Sequence, residues 1–289
     1  GRRATAQTMA APQRGGPRRK QGEVAHAVLI SVASPNGGVG TTTCAAHRAY
    51  GMAAAGYRTR ALALAPQNSW RLHSGIPLGE AGGLARGGPS AGDWMARVLN
   101  GGGGVGVLPY GAADGAQRRE LDQALQTPGF LSAGLRGLAE QPDTVLVVDL
   151  PPGPSPALDA VSPLANLRLT LLLADSASVS LLPGLEDGFY PPGVAPGSEH
   201  RLVLNQVDIR RRLNREITEF LQTRYRDSLL ATLHRDEAVP EAGARQISVF
   251  EHAESSRAAR DLGMLCRRSL ALLKGADSAG YSPLWGHNR

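Results

Sequence analysis

Cysteine is scarce in this chain: Cys44 and Cys266 are the only two in 289 residues, far apart and neither in a Cys-x-x-Cys pair. That usage excludes a disulfide framework and a sulfur-ligated metal site, and it fits a reducing compartment. Long apolar runs are also missing. No stretch of about eighteen apolar residues occurs, and the basic start of the chain is not followed by the apolar segment that a secretory signal needs. The expectation is a soluble, cytoplasmic protein. The first 22 residues contain no acid, while Arg2, Arg3, Arg14, Arg18, Arg19 and Lys20 lie among them. The formal net charge of +6 therefore belongs to this leader, because the rest of the chain holds 25 basic and 25 acidic residues. A basic leader can contact RNA, acidic lipid or an acidic partner. Its Ala, Gly, Pro and Gln content equally fits a solvated, disordered segment, and the balanced remainder gives no sign of a nucleic-acid-binding surface.

What is present is a core-forming composition, 42% hydrophobic, with a β/α texture beginning near Ala25. Short apolar runs alternate with longer mixed segments, a pattern that predicts a single α/β domain with a mostly parallel, twisted sheet of seven or eight strands flanked by helices. The expected division is a disordered basic leader at 1–24, one domain at 25–274 and an irregular tail at 275–289. Strands are expected at 27–33, 59–65, 105–108, 144–149, 167–173, 201–204 and 229–233. Helices are expected at 42–55, across 117–138, and near 213–226, 236–244 and 255–273. Residues 79–104 are rich in glycine turns. Pro183 to Gly197 interrupts a place where a helix would otherwise stand. That irregular excursion is either a docking surface or a loop tolerant of insertion.

The most informative segment is Asn36-Gly37-Gly38-Val39-Gly40-Thr41-Thr42-Thr43. It follows a predicted strand and opens a predicted helix, the context in which backbone N–H groups of a glycine turn cradle phosphate. The plain alternative is a tight turn with threonine at a helix start.

Gly37-Gly38-Val39-Gly40 followed by Thr42-Thr43 resembles the deviant phosphate loop of the MinD/ParA family of P-loop NTPases. Two lysines of that family's loop are replaced here, by Asn36 and Thr41. Threonine in the second place is similar to the cellulose-biosynthesis branch. Leu108-Pro109-Tyr110-Gly111, Val148-Asp149-Leu150-Pro151 and His234-Arg235-Asp236-Glu237-Ala238 extend the likeness, and Val249-Phe250-Glu251-His252 and Ser255 to Asp261 look like the family's closing segment. The resemblance runs from about Ala27 to Leu273.

By implication of this resemblance, residues 36 to 43 hold the phosphates of ATP or another nucleoside phosphate. Thr42 and Asp149 hold Mg²⁺, Asn205 reads the base, and Asp236 passes beside it. Each has a structural alternative: a helix-start hydroxyl for Thr42, a turn former for Asn205. His234 reads as a structural or surface residue. The family places Asp-x-Asp-Pro-Gln where this chain has Ala63-Leu64-Ala65-Pro66-Gln67, so two carboxylates are absent as well as two lysines. Losing one well-placed electrostatic group costs on the order of 10²–10³ in rate, so hydrolysis is expected to be very slow or absent. The resemblance further implies a homodimer that works with cellulose synthase subunits and other secretion accessories. Such a protein meets the inner membrane only through the synthase. An active partitioning or positioning ATPase is the competing reading. Its membrane form would end in a basic amphipathic helix, which Gly275 to Arg289 does not provide. An iron–sulfur reductase would need paired cysteines that are not there.

Overall fold

The computed structural model describes residues 27–86, 88, 93–194 and 197–277. The expected basic leader and the tail beyond residue 277 lie outside the described residues. Strand β1 (Val28–Ala33) leads through the glycine turn into helix α1 (Thr41–Ala54), and β2 (Arg58–Ala63) follows. After short 3₁₀ turns come β3 (Leu99–Asn100), β4 (Gly106–Leu108), α2 (Gly115–Gln126) and α3 (Phe130–Leu138). The middle of the chain holds β5 (Thr144–Asp149), α4 (Pro156–Val161), β6 (Leu167–Leu173), α5 (Ser176–Ser180) and α6 (Leu182–Asp187). The last part is β7 (Glu199–Val207), α7 (Arg212–Arg224), β8 (Leu229–His234), α8 (Ala238–Ala244), α9 (Val249–His252) and α10 (Arg257–Asp277).

One eight-stranded sheet runs in the order β3-β4-β2-β5-β1-β6-β7-β8, and every pairing is parallel except β3 with β4. A parallel sheet is covered on both faces, so its central strands are apolar on both sides. In β1, Ile30 and Val32 face α1 and α10 with Cys44, Ala45 and Leu265, whereas Leu29 and Ala33 face α2, α3 and α4 with Leu121, Leu135 and Leu158. A smaller cluster under α7 joins Leu172, Leu204 and Leu221. No helix among the described residues is long and apolar enough to cross a membrane.

Several elements differ from the sequence expectation for identifiable reasons. The helical pattern at 117–138 is two helices, because Pro128 disfavours helical backbone at Thr127 and Gly129 turns left-handed at φ 83°. The Pro/Gly excursion contains α6, since Pro183 falls in the first turn, where a missing N–H costs nothing. The two-residue β3 is too short to leave a period-2 pattern. Helices α4 and α9 are short, six and four residues, and are started by Ser155 and Ser248, whose hydroxyls accept the N–H of Leu158 and Glu251. Helix α10 continues to Asp277, three residues past the expected domain boundary.

Candidate functional site

All six long parallel strands end on one edge of the sheet, and the crossing from β1 to α1 lies there. Gly38 and Gly40 adopt φ of 77° and 88°, a left-handed backbone that favours glycine. Gly40 is also the N-cap of α1, without a side-chain cap and without an acid in the first turn. The first N–H groups of α1 therefore have no side-chain acceptor and form an anion-ready end. Gly37 and Gly38 are exposed, while Val39 between them is fully buried and anchors the loop in the core.

Hydroxyls and amides hold this turn in shape. Thr41 Oγ1 donates to Ser34 Oγ at 2.9 Å, and Ser34 Oγ donates to the carbonyl of Asn36 at 2.7 Å. From the end of β7, Asn205 Nδ2 donates to the carbonyl of Val39 at 2.7 Å, and Gln206 Nε2 lies 3.5 Å from the carbonyl of Gly38. A Cβ on Gly40 would stand 2.5 Å from Asn205 Nδ2, so the close approach of β7 also demands glycine there. The side-chain oxygen of Asn36 is buried without a partner.

Beside the turn, Thr42 Oγ1 donates to Asp149 Oδ2 at 2.8 Å, and Ser69 Oγ lies 3.4 Å from the same hydroxyl. Asp149 ends β5 and is only 1% exposed; its other oxygen, Oδ1, has no partner. Burial pushes its carboxyl up from 3.8 to about 7, against the opposing pull of the Thr42 hydrogen bond. A hydroxyl and a carboxylate with an unused oxygen are the donors that Mg²⁺ takes, with waters and phosphate oxygens completing its shell. The residues present fit that ion. Among the described residues there is no cluster of three His, Cys, Asp or Glu side chains that would hold a metal by itself.

Two cavities meet at this edge. One, of about 320 Å³, is lined by the glycine turn, Ala65, Gln67, Ser69, Pro152 and Gln206, and its described lining contains no ionisable side chain. Ala65 and Gln67 come from the stretch where the resemblance expects carboxylates. The second cavity, of about 530 Å³, is mostly apolar; Cys44, Leu72, Val239, Pro240 and Leu262 are among its walls. Its size and lining suit a flat heteroaromatic group. Asn205 and Asp236 both border it.

Both residues already make side-chain hydrogen bonds, Asn205 through Nδ2 to Val39 and Asp236 through both carboxyl oxygens. Asp236 Oδ1 accepts from Ala238 N and Oδ2 from Ala258 N, each at 3.0 Å, which pins the starts of α8 and α10 and holds the carboxyl below its usual range. His234 Nδ1 and its backbone N–H both meet Asp261 Oδ2 at 2.9 Å, the structural role expected for this histidine. Thus the structure brings residues 36 to 43, Asp149, Asn205 and Asp236 to one sheet edge.

Sequence reasoning did not find Ser34, Ser69, Gln206, His47 or His73. His47 Nε2 accepts from Val249 N and its Nδ1 donates to the carbonyl of Thr43, both at 2.8 Å, which fixes the tautomer. His73 Nε2 lies 3.2 Å from Thr43 Oγ1. The spacing of Thr43 and His47 on one helix face was the only available signal for the first; nothing local marks the others.

The strand order, the glycine turn between β1 and α1, and the acid closing β5 define an α/β protein with the P-loop fold of the MinD/ParA class. The cell-division ATPase MinD of Pyrococcus furiosus superposes with a TM-score of 0.67 at 19% identity, covering 85% of this chain and 99% of that one. MinD of Pyrococcus horikoshii complexed with Mg-ADP gives 0.66 at 17% identity, covering 86% and 98%. Within that class, the family model "Cellulose biosynthesis protein BcsQ" matches residues 28–270, so the chain belongs to the BcsQ family. The cellulose biosynthesis protein BcsQ of Salmonella typhimurium is 26% identical over 236 residues, 81% of this chain and 90% of that relative.

Proposed function

We propose that this chain is a nucleotide-binding accessory subunit of the bacterial cellulose synthesis and secretion machinery, binding ATP or a related nucleoside phosphate with Mg²⁺ and hydrolysing it very slowly or not at all. The observation that carries this reading is the glycine-turn cavity: main-chain donors and hydroxyls line it, and no charged side chain does. Such a lining holds an oligophosphate but supplies little to the charge that develops during phosphoryl transfer. The phosphates belong against Asn36, Gly37, Gly38, Val39, Gly40, Thr41, Thr42 and Thr43, with the base in the apolar cavity near Asn205 and Asp236. Thr42 and Asp149 hold Mg²⁺, whose charge offsets that of the phosphates.

In this reading the protein works as a homodimeric scaffold or regulator in the cytoplasm, docking on cellulose synthase subunits and their accessory proteins. It reaches the inner membrane through them and binds no specific nucleic acid. An active partitioning ATPase is disfavoured by the alanines at positions 63 and 65, where the resemblance expects acids.

Calorimetric titration with Mg-ATP, paired with a phosphate-release assay, tests both halves. Saturable binding without release above the blank is the expected result. Steady turnover would remove the non-hydrolysing half, and the absence of heat at millimolar Mg-ATP would remove the nucleotide half. Sedimentation with and without Mg-ATP tests the dimer; a monomer in both conditions removes it.

A further inference from the structure

The end of β7 is irregular in a way that the established fold does not require. The β7–β8 register shifts between Leu204 and Val207, and inside that bulge Gln206 has φ 54°, a left-handed backbone unusual for a residue with a Cβ. Consecutive side chains of a strand point to opposite faces. Here the bulge sends two consecutive carboxamides to the same place: Asn205 to the carbonyl of Val39 and Gln206 toward that of Gly38. Strained backbone of this kind gathers at ligand clamps.

The position of Gln206 is equally specific. Gly40, Thr43 and Gln206 are the residues that border both the apolar cavity and the glycine-turn cavity. One ligand that fills both must pass between them. Of the polar side chains at this crossing, Thr43 already meets His73. Gln206 is exposed, and its one side-chain hydrogen bond among the described residues, at 3.5 Å, is at the outer limit of such a bond. Its carbonyl oxygen and most of its amide capacity are available. In a nucleoside phosphate the group between a flat apolar end and a polyanionic end is the sugar.

We infer that Gln206 is a specificity-determining residue that hydrogen-bonds the sugar hydroxyls at this crossing, making the site selective for ribonucleotides over 2′-deoxyribonucleotides. The inference rests on the nucleotide reading proposed above and adds to it the sugar and the residue that reads it. A site built to bond a hydroxyl discriminates against the ligand that lacks it.

The test is equilibrium binding of Mg-ATP and Mg-2′-dATP to the full chain and to two variants. Gln206→Gly keeps the left-handed backbone without strain, and Gln206→Asn keeps both the carboxamide and tolerance of that backbone. The wild type should prefer ATP by roughly tenfold, the scale of one net hydrogen bond. Gln206→Gly should bind both ligands equally, at the wild-type affinity for 2′-dATP, while melting no lower than the wild type. Gln206→Asn should retain part of the preference. Equal wild-type affinities, or a preference that survives in Gln206→Gly, overturn the role of Gln206 and leave nucleotide binding intact. Failure of the wild type to bind either ligand overturns the nucleotide reading itself, and this inference with it.

Discussion

The hydroxyl of Thr42, in the first turn of α1, donates to Oδ2 of Asp149 at the end of β5, a 2.8 Å bond between residues 107 positions apart. Among the described residues it is the single hydrogen bond to a fully buried carboxylate whose second oxygen has none. Replacing Thr42 by valine keeps the shape and leaves that carboxylate without a partner. The loss should be about 1–3 kcal/mol at pH 7.5, read from urea denaturation. The carboxyl should also titrate higher still, because the Thr42 bond is what pulls it down.

Asp149 and three histidines, His47 and His73 buried and His200 half-buried, set opposite pH dependences. With its carboxyl raised from 3.8 to about 7, Asp149 contributes stability that is complete below pH 4 and lost as pH rises to 7. His47, His73 and His200 are lowered by burial from 6.5 to about 4, 3 and 4 respectively. They contribute stability that is complete above pH 6.5 and lost as pH falls toward 4. Three groups outweigh one, so the ligand-free wild type should weaken on acidification from 6.5 to 4. Asp149→Asn removes the opposing group. The variant should be more stable than wild type by a few kcal/mol at pH 7.5, with the gap closing by pH 4. Denaturation midpoints at pH 4.5, 6 and 7.5 decide it, and a gap that does not change with pH rules out a buried, ionised Asp149.

Two glycines of the same turn should respond differently to alanine. At Gly38 a Cβ meets nothing within 4 Å, so the cost is only that of a left-handed backbone, on the order of 1 kcal/mol. At Gly40 the same backbone cost is joined by collision with Asn205 Nδ2, 2.5 Å from where the Cβ would be. Gly40→Ala should therefore cost at least about 2–3 kcal/mol and break the bond from Asn205 to Val39. Thermal melts of the pair test the difference; equal costs would show that Asn205 can swing aside freely.

Helix α1 meets α10 at Gly51, where an added Cβ would overlap Cys266 Sγ. Alanine at an ordinary helical position stabilises by about 0.5–1 kcal/mol relative to glycine. Here overpacking should prevail, for a net loss of about 1–3 kcal/mol. In a Cys266→Ala background the loss should shrink without vanishing, because the Cβ of residue 266 still lies 2.9 Å from the added Cβ. A double-mutant cycle measures this directly, and additive effects would show that the helices part without strain.

Legibility varied with how local the cause was. The apolar run at 27–33 and Gly37-Gly38-Val39-Gly40 marked the first crossing, because a two-faced buried strand and a left-handed turn each constrain residue type at their own positions. Gly40 is doubly constrained, and only the first constraint, its φ, is local. The separation of α2 from α3 was written in Thr127-Pro128-Gly129, yet the apolar spacing of Leu121, Leu125, Leu131 and Leu135 runs across that break and masks it. Ser34 and Ser69 carry no signal of their own, since a serine near a strand end or in a short turn is ordinary.

By itself, the sequence determined the alternation of buried strands and covering helices, the glycine turn after the first of them, and the absence of charged side chains from that turn. Each follows from residue type over a few neighbouring positions. Only the tertiary structure decided that β5 lies beside β1, which sets Asp149 against Thr42. Only the tertiary structure decided that β7 ends in a bulge, which turns Asn205 and Gln206 onto one loop. Such pairings depend on strand order and register, and these are set by packing of the whole sheet between its helices rather than by the residues that finally touch.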